Sequence, residues 1–324
     1  MRICHTPAEM QSACRDLRAS GPAPARTLGL VPTMGALHAG HMSLVSAALA
    51  ECDAVAVSIF VNPTQFGPNE DFASYPRTFE DDCRKLTEAG VDLLFAPSAE
   101  EMYPPGNTTS IDPGPIATRL DGASRPGHFR GVATIVARLF HIVAPDRAYF
   151  GQKDAAQVAV LRHIVRDLNL PVHLAVCPIV REPDGLAMSS RNRYLSPAER
   201  TRALILSRAL AAAQQLAAQG ETSAETLRAA MLAVFAQADP APSVTAYPSL
   251  SASPILSAVP VLNAGPGLSA DPILNAVPIT LDYAAVVDPD TLLPLADTTH
   301  GALLAVAAFV GPTRLIDNLL LPAR

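Results

Sequence analysis

Residues 54–61 (AVAVSIFV) form an apolar run interrupted only by Ser58 and rich in β-branched side chains, and this run constrains the fold more than any other feature of the chain. A strand that alternates apolar and polar residues has one wet face, whereas a continuously apolar strand must be covered on both. Other runs of the same kind occur at 27–31, ending in Pro32, at 92–96 (DLLFA) and at 172–180 (VHLAVCPIV). Helical patterns lie at 41–51, 79–89, 131–143 and 155–168. Helices separating doubly covered strands predict a parallel sheet packed on both faces, the α/β doubly wound class.

At 324 residues the chain is long enough for about two domains. A helix is predicted to start at Ser196, where Ser-Pro-Ala-Glu supplies a capping serine, a proline at the first helical position and a glutamate at the third, and to run to Gln219, with Gly220 as its stop. It marks entry into a second, smaller domain. The expected division is 1–185 and 186–324. Within the second part, residues 240–280 are rich in Pro, Ser and Ala and carry an imperfect repeat, SPILSAVP at 253–260 and DPILNAVP at 271–278. Two copies are too few for a solenoid, and frequent proline bars helix interiors and central strands, so an extended insertion is expected.

Composition excludes several classes. Charged residues are only 17% of the chain, against a usual ~25%, and apolar residues are 49%, which rules out a disordered chain. A net charge of -6 argues against nucleic acid as a partner. The cysteines, Cys4, Cys14, Cys52, Cys83 and Cys177, are scattered without a CxxC pair, which argues against a disulfide framework or structural zinc and for a reducing compartment. Residues 1–20 lack the apolar core of a secretory signal, and the longest apolar stretch, 302–310, is far short of the ~20 residues of a membrane span. A soluble cytoplasmic protein is expected.

The sharpest motif is Pro32-Thr33-Met34-Gly35-Ala36-Leu37-His38-Ala39-Gly40-His41, a strand end, a glycine-containing loop and a helix opening at His41. A helix N-terminus offers N–H groups and a positive dipole end to a phosphate. His38 and His41, three apart, can face one ligand and stabilise charge on phosphate oxygens. No third ligand at matching spacing points to zinc. Phe150-Gly151-Gln152-Lys153-Asp154 joins a short strand to a helix and offers a lysine to phosphate and a carboxylate to a cap or ribose hydroxyls. Met188-Ser189-Ser190-Arg191-Asn192 places two hydroxyls and a guanidinium in one loop. Asn62 and Gln65 sit in VNPTQF where the 54–61 strand ends, the edge at which open α/β sheets collect ligands. Glu80, Asp81 and Asp82 open a helix after YPRT, where acids either complement the dipole or bind Mg²⁺. The basic loop Arg125-Pro126-Gly127-His128-Phe129-Arg130-Gly131 could hold an anion or a subunit contact.

Together PTMGALHAGH, SIFVNPTQF, YPRT, RPGHFRGV, FGQKD, MSSRN and TRLIDN resemble, in order and spacing, the pantothenate synthetase (pantoate–β-alanine ligase) family. HxGH alone is shared across a nucleotidyl-transfer superfamily, but the ordered set is specific. The resemblance is dense over 27–194 and looser over 281–318, and residues 240–280 have no counterpart in the family pattern. It implies a Rossmann-like first domain, a smaller α+β C-terminal lid, a homodimer, and ATP-dependent joining of pantoate to β-alanine through a pantoyl adenylate, with release of AMP and pyrophosphate. By motif, Met34, Gly35, Ala36, Leu37, His38, Ala39, Gly40 and His41 form the ATP loop, with His41 and His38 catalytic. Gly151, Gln152, Lys153 and Asp154 bind ATP, Lys153 on phosphate and Asp154 near ribose. Val180 lines the adenine pocket, and Met188, Ser189, Ser190 and Arg191 close over the phosphates. Gln65 and Gln157 hold pantoate, Gln65 also meets β-alanine, and Asn62 supports that pocket. Mg²⁺ accompanies ATP, with Asp81 and Asp82 as its expected ligands, beside Lys85 where some family members carry an amide. Two other readings stay open: an HxGH nucleotidyltransferase acting on a phosphorylated alcohol, and a non-catalytic nucleotide-binding scaffold.

Overall fold

A computed structural model of the chain describes residues 1–20, 26–68, 70–238 and 277–324. Most of the Pro/Ser-rich stretch at 240–280 therefore lies outside the described residues. The chain divides into two compact units, one of residues 1–152 and 156–180, the other of residues 153–155 and 181–324.

The first unit contains β1 (Arg2–Cys4), α1 (Pro7–Ala19), β2 (Leu28–Thr33), α2 (Ala39–Glu51), β3 (Ala54–Ile59), α3 (Phe79–Ala89), β4 (Leu93–Phe95), α4 (Ala99–Met102), α5 (Asp121–Ser124), α6 (His128–Val143), β5 (Arg147–Gly151), α7 (Ala155–Asp167) and β6 (His173–Cys177). All six strands are parallel, in the order β1-β4-β3-β2-β5-β6. The doubly wound expectation holds. Val55, Val57, Val31 and Leu94 are fully buried, as strands covered on both faces require.

Strand order decides where ligands gather. From β2 the chain steps one way to β3 and β4, then returns to the other side of β2 for β5 and β6. The reversal between β2 and β5 is the topological switch point, and the crevice beyond the carboxyl ends of those strands is the default ligand site of such sheets. The segments after β2, β3 and β5 all leave from that edge.

Several boundaries differ from the sequence reading. β2 runs through Pro32 to Thr33. It pairs with β5 only through Gly29 and Leu30, so past Leu30 one side of β2 carries no ladder and a residue without an N–H is tolerated. The edge strand β1 is too short to show a period, and α1, opened by a Thr6–Glu9 capping box, follows it directly. α2 starts at Ala39, two residues before His41.

The second unit contains α8 (Pro197–Ala203), α9 (Ile205–Ala218), α10 (Ala224–Ala238), β7 (Ile279–Val287), β8 (Ala302–Val310) and β9 (Thr313–Leu321). The predicted long helix opens as expected, with Ser196 capping Glu199 N–H and Pro197 first in the helix. It breaks at Leu204, whose turn-like ψ of −11° separates α8 from α9. β7, β8 and β9 form an antiparallel sheet whose apolar residues, among them Leu281, Leu304, Val306 and Val310, share one core with Leu206, Leu210, Met231 and Phe235 of the helices. This is the smaller α+β body that the sequence predicts.

Candidate active site

In the first unit the loop after β2 turns on two consecutive left-handed residues, Gly35 at φ 81° and Ala36 at φ 51°. Glycine is needed at 35, because an added Cβ would lie 3.0 Å from Ile59 Cγ2 and 3.2 Å from Asp82 Oδ2. Ala36 carries a steric penalty of about 1 kcal/mol or more in that region, so something must hold it there. That group is Asp82 of α3. Its Oδ2 accepts the Ala36 N–H and its Oδ1 the Leu37 N–H, both at 2.8 Å, and Thr78 Oγ1 donates to Oδ1 at 3.2 Å. The carboxylate is fully buried. Lys85, one turn on, donates from Nζ to Leu37 C=O at 2.8 Å and pairs with Asp81 Oδ2 at 2.6 Å. Helix α3 thus grips the loop from beneath by both its N–H and its C=O groups.

Two acids expected to bind Mg²⁺ are therefore already committed. Both Asp82 oxygens accept loop amides. Asp81 is flanked by Lys85 and Arg84, whose hydrogen bonds hold its carboxyl below the usual range. A hard divalent ion needs open oxygens without competing cations, so this pair does not fit a resident Mg²⁺. Among the described residues no group of three or more His, Cys, Asp or Glu is placed to hold a metal.

The held loop delivers His38 as the N-cap residue of α2, in extended conformation at φ −129° and ψ 176°. One turn later His41 Nδ1 accepts the His38 backbone N–H at 3.4 Å. An Nδ1 that accepts obliges the neutral ring to carry its proton on Nε2, which makes His41 a donor at that atom. The two rings stack at 4.0 Å between centroids, 25° from parallel. Met34, Gly40 and His41 are half-buried while Ala39 is exposed. A helix start with a donor imidazole in its first turn is suited to phosphate oxygens.

Beyond β3, Asn62 is 1% exposed and caps a single 3₁₀ turn, Pro63–Gln65. Its Oδ1 accepts from Thr64 N–H, Thr64 Oγ1 and Tyr103 Oη, and its Nδ2 donates to Gly131 C=O at 3.2 Å and to Gln65 Oε1 at 3.1 Å. Gln65 Nε2 lies 3.0 Å from Met34 Sδ, so the HxGH loop and the amide motif meet. Gly151 is the last residue of β5 and Gln152 follows it, Gln157 stands half-buried at the start of α7, and Val180 ends the first unit, also half-buried.

In the second unit Lys153 is mostly covered, with Nζ 3.6 Å from the half-exposed Asp154. Its carbonyl accepts from Asn318 Nδ2 at 2.9 Å. Ser189 caps a short turn, Ser190–Tyr194, by accepting Arg191 N–H at 3.3 Å, and Ser190 is buried. Met188 and Arg191 are half-buried. A small pocket is lined by Lys153, Ser189, Asn192, Leu206, Leu315 and Asp317, so this unit brings the lysine and the serine loop together.

The sequence reading assigned no role to Asp317 and Asn318 of TRLIDN. Asp317, almost wholly buried, takes a two-pronged ion pair from Arg181 at 2.7 and 3.0 Å. Arg181 also donates to Gly185 C=O, while Glu182 and Asp184 share Arg200 at 2.7 Å each. The adjacent Asp-Asn pair on β9 therefore braces both the loop leading to the serines and the Lys153 backbone. Only the unusual pairing of two polar residues inside an apolar strand could have signalled this. Asp317→Ala is expected to lower unfolding free energy by about 1.5–3 kcal/mol, the scale of hydrogen bonds between charged groups, as read from denaturation midpoints.

A family model for pantoate-beta-alanine ligases matches residues 2–320, nearly the whole chain. The chain belongs to that family. A pantothenate synthetase from Acidobacterium capsulatum is 53% identical over 99% of this chain and 97% of its own length, and one from Koribacter versatilis is 51% identical over 100% and 97%. Among solved structures, the pantothenate synthetase of Thermus thermophilus aligns with a TM-score of 0.80 at 44% identity, covering 98% of this chain and 99% of that one. The pantoate-beta-alanine ligase of Francisella tularensis, complexed with beta-gamma ATP and beta-alanine, aligns with a TM-score of 0.68 at 31% identity over 99% and 97%. The ligase family shares the six-stranded parallel sheet and the small antiparallel domain. No helix among the described residues is long and apolar enough to cross a membrane.

Proposed function

We propose that the protein condenses pantoate with β-alanine, using ATP, to give pantothenate, AMP and pyrophosphate. A carboxylate is a poor electrophile because its charge repels an incoming amine. Attack of the pantoate carboxylate oxygen on the α-phosphorus expels pyrophosphate and yields an acyl adenylate. The β-alanine amine then attacks the acyl carbon, and AMP departs. Charge grows on phosphate oxygens in the first step, so the protein contributes positioning and electrostatics.

The observation that carries this reading is the meeting, at one sheet edge, of a braced HxGH loop with an amide whose polarity is fixed. Gln65 Oε1 accepts from Asn62, which leaves Nε2 as the donor for an oxygen-rich acid. A nucleotidyltransferase for phosphorylated alcohols has no need of that amide, and a scaffold has no need of the loop braces. In this reading His41 and His38 act on the phosphates from residues 34–41, and Gln65 and Gln157 hold pantoate. Gly151, Gln152, Lys153 and Asp154, with Val180, Met188, Ser189, Ser190 and Arg191, bind the nucleotide. Residues 1–185 form the ATP- and pantoate-binding body and 186–324 the lid. Mg²⁺ arrives bound to ATP as part of the substrate, and no ligand from the protein is assigned to it. A homodimer in the cytoplasm completes the proposal.

The test is isotopic. With ¹⁸O in the pantoate carboxylate, an acyl adenylate leaves one ¹⁸O in AMP, visible by mass spectrometry. Unlabelled AMP formed alongside pantothenate would contradict the adenylate route.

A further inference from the structure

Two residues of the basic segment that opens α6, Arg125 and His128, turn inward onto Gln65. The Gln65 carbonyl accepts from His128 Nδ1 at 2.8 Å and from Arg125 Nη2 at 3.3 Å. Arg125 forks onto Glu70, Nε to Oε1 at 2.8 Å and Nη2 to Oε2 at 2.5 Å, and its Nη1 lies 3.0 Å from His128 Nε2. A guanidinium only donates, so His128 Nε2 accepts and Nδ1 carries the proton. That neutral tautomer agrees with a His128 pKa pushed down to about 4, first by burial and then by the Arg125 charge. Burial would raise Glu70, yet the Arg125 hydrogen bonds and charge keep its carboxyl below the usual range.

The same segment fixes the Gln65 side chain. Asn62 Oδ1 accepts the Thr64 backbone N–H, which can only donate, so the other end of the Asn62 amide must be Nδ2. Nδ2 donates to Gly131 C=O and to Gln65 Oε1. Gly131 permits this contact, because a Cβ there would fall 2.4 Å from the Thr64 carbonyl oxygen. The α6 backbone therefore rests directly on the turn that carries Gln65.

We propose that Arg125, His128 and Gly131 are positioning residues for Gln65: they clamp its carbonyl and, through Asn62, set its amide so that Nε2, with one N–H on Met34 Sδ, turns its other N–H to an acceptor oxygen of the acid substrate. The proposal rests on the reading of Gln65 as a pantoate-binding residue. Electrostatic order runs one way, from the Glu70–Arg125 pair through neutral His128 to the Gln65 carbonyl.

The test compares Gln65→Ala, His128→Ala, His128→Asn and Arg125→Lys in the full-length enzyme, with KM for pantoate and for ATP, and hydrogen exchange over residues 63–66. His128→Ala is expected to raise the pantoate KM about tenfold, the effect of one to two lost hydrogen bonds, and to speed exchange at 63–66. The ATP KM stays within about twofold on the same grounds, since no ATP contact is removed. His128→Asn, which keeps a donor near the Nδ1 position, restores most of the pantoate KM. Arg125→Lys, which keeps the charge but loses the fork, resembles His128→Ala and serves if that variant does not fold. An unchanged pantoate KM in His128→Ala and Arg125→Lys, with a raised one in Gln65→Ala, would overturn the clamp. So would pantoate and ATP KM values rising together without rescue by asparagine. An unchanged pantoate KM in Gln65→Ala would instead overturn the underlying assignment of Gln65.

Discussion

Replacing His41 with alanine is expected to slow adenylate formation by at least about a hundredfold, the scale of losing one preorganised donor to a developing oxyanion. His41 stands in the first turn of α2, where backbone N–H groups and the dipole already favour negative charge. Its Nδ1 is committed to the His38 amide, so its proton sits on Nε2. An alanine there keeps helix propensity and removes only the ring, and with it the stacking on His38. The loss should therefore fall on the rate of the chemical step, with ATP affinity reduced far less. Rapid-quench single-turnover measurement of adenylate, with the enzyme in excess, separates the two. A single-turnover rate near that of the unmodified enzyme would remove His41 from the chemistry.

Replacing Asp82 is the second large effect, and it should reach function through structure. Asp82→Ala leaves the Ala36 and Leu37 amides buried without their acceptor, at about 1–3 kcal/mol for each unsatisfied group. Ala36 then loses the acceptor that holds it at φ 51°, Lys85 alone still grips the loop at the Leu37 carbonyl, and the loop relaxes toward conformations an L-residue prefers. Asp82→Asn should lie between, since one oxygen can still accept while the amide –NH₂ faces a second donor. The expected result is a fall in unfolding free energy of about 2 kcal/mol or more for the alanine variant, together with a raised ATP KM, and roughly half of each for asparagine. Denaturation midpoints and steady-state kinetics check both. If Asp82 acted chiefly by holding a divalent ion, raising free Mg²⁺ would rescue the variants. The hydrogen bonding of its two oxygens predicts no rescue.

How much of this was legible beforehand depends on whether the signal was local. Continuous apolar runs such as 54–61 reveal a doubly covered strand because coverage leaves its mark in the strand's own residues. The HxGH loop was legible because strand, glycine and helix start lie side by side in sequence. Asp82 was not: its partners lie 46 and 45 residues upstream, and an acid in a first helical turn has an ordinary explanation in the dipole. The resemblance implied a metal ligand there, and the hydrogen bonds of Asp82 make it a brace. Asp317 and Asn318 were missed for the same reason, since Arg181 and Lys153 reach them across 136 and 165 residues. His128 looked like part of a basic loop for an anion or a subunit contact, because only the fold reveals that Glu70 pairs with Arg125 and that the Gln65 carbonyl accepts from His128. The break at Leu204 was hidden by strong helix formers on both sides, where tertiary packing overrides propensity.

Pyrophosphate release from ATP and Mg²⁺ is the decisive assay for a two-step ligase built on the braced loop and the fixed amide. The reaction is run first with pantoate alone and then with β-alanine added. A pantoate-dependent burst of pyrophosphate near one equivalent per site is expected, followed on addition of β-alanine by steady formation of AMP and pantothenate. Pyrophosphate release indifferent to pantoate, or none at all in a folded protein that binds ATP, would contradict it.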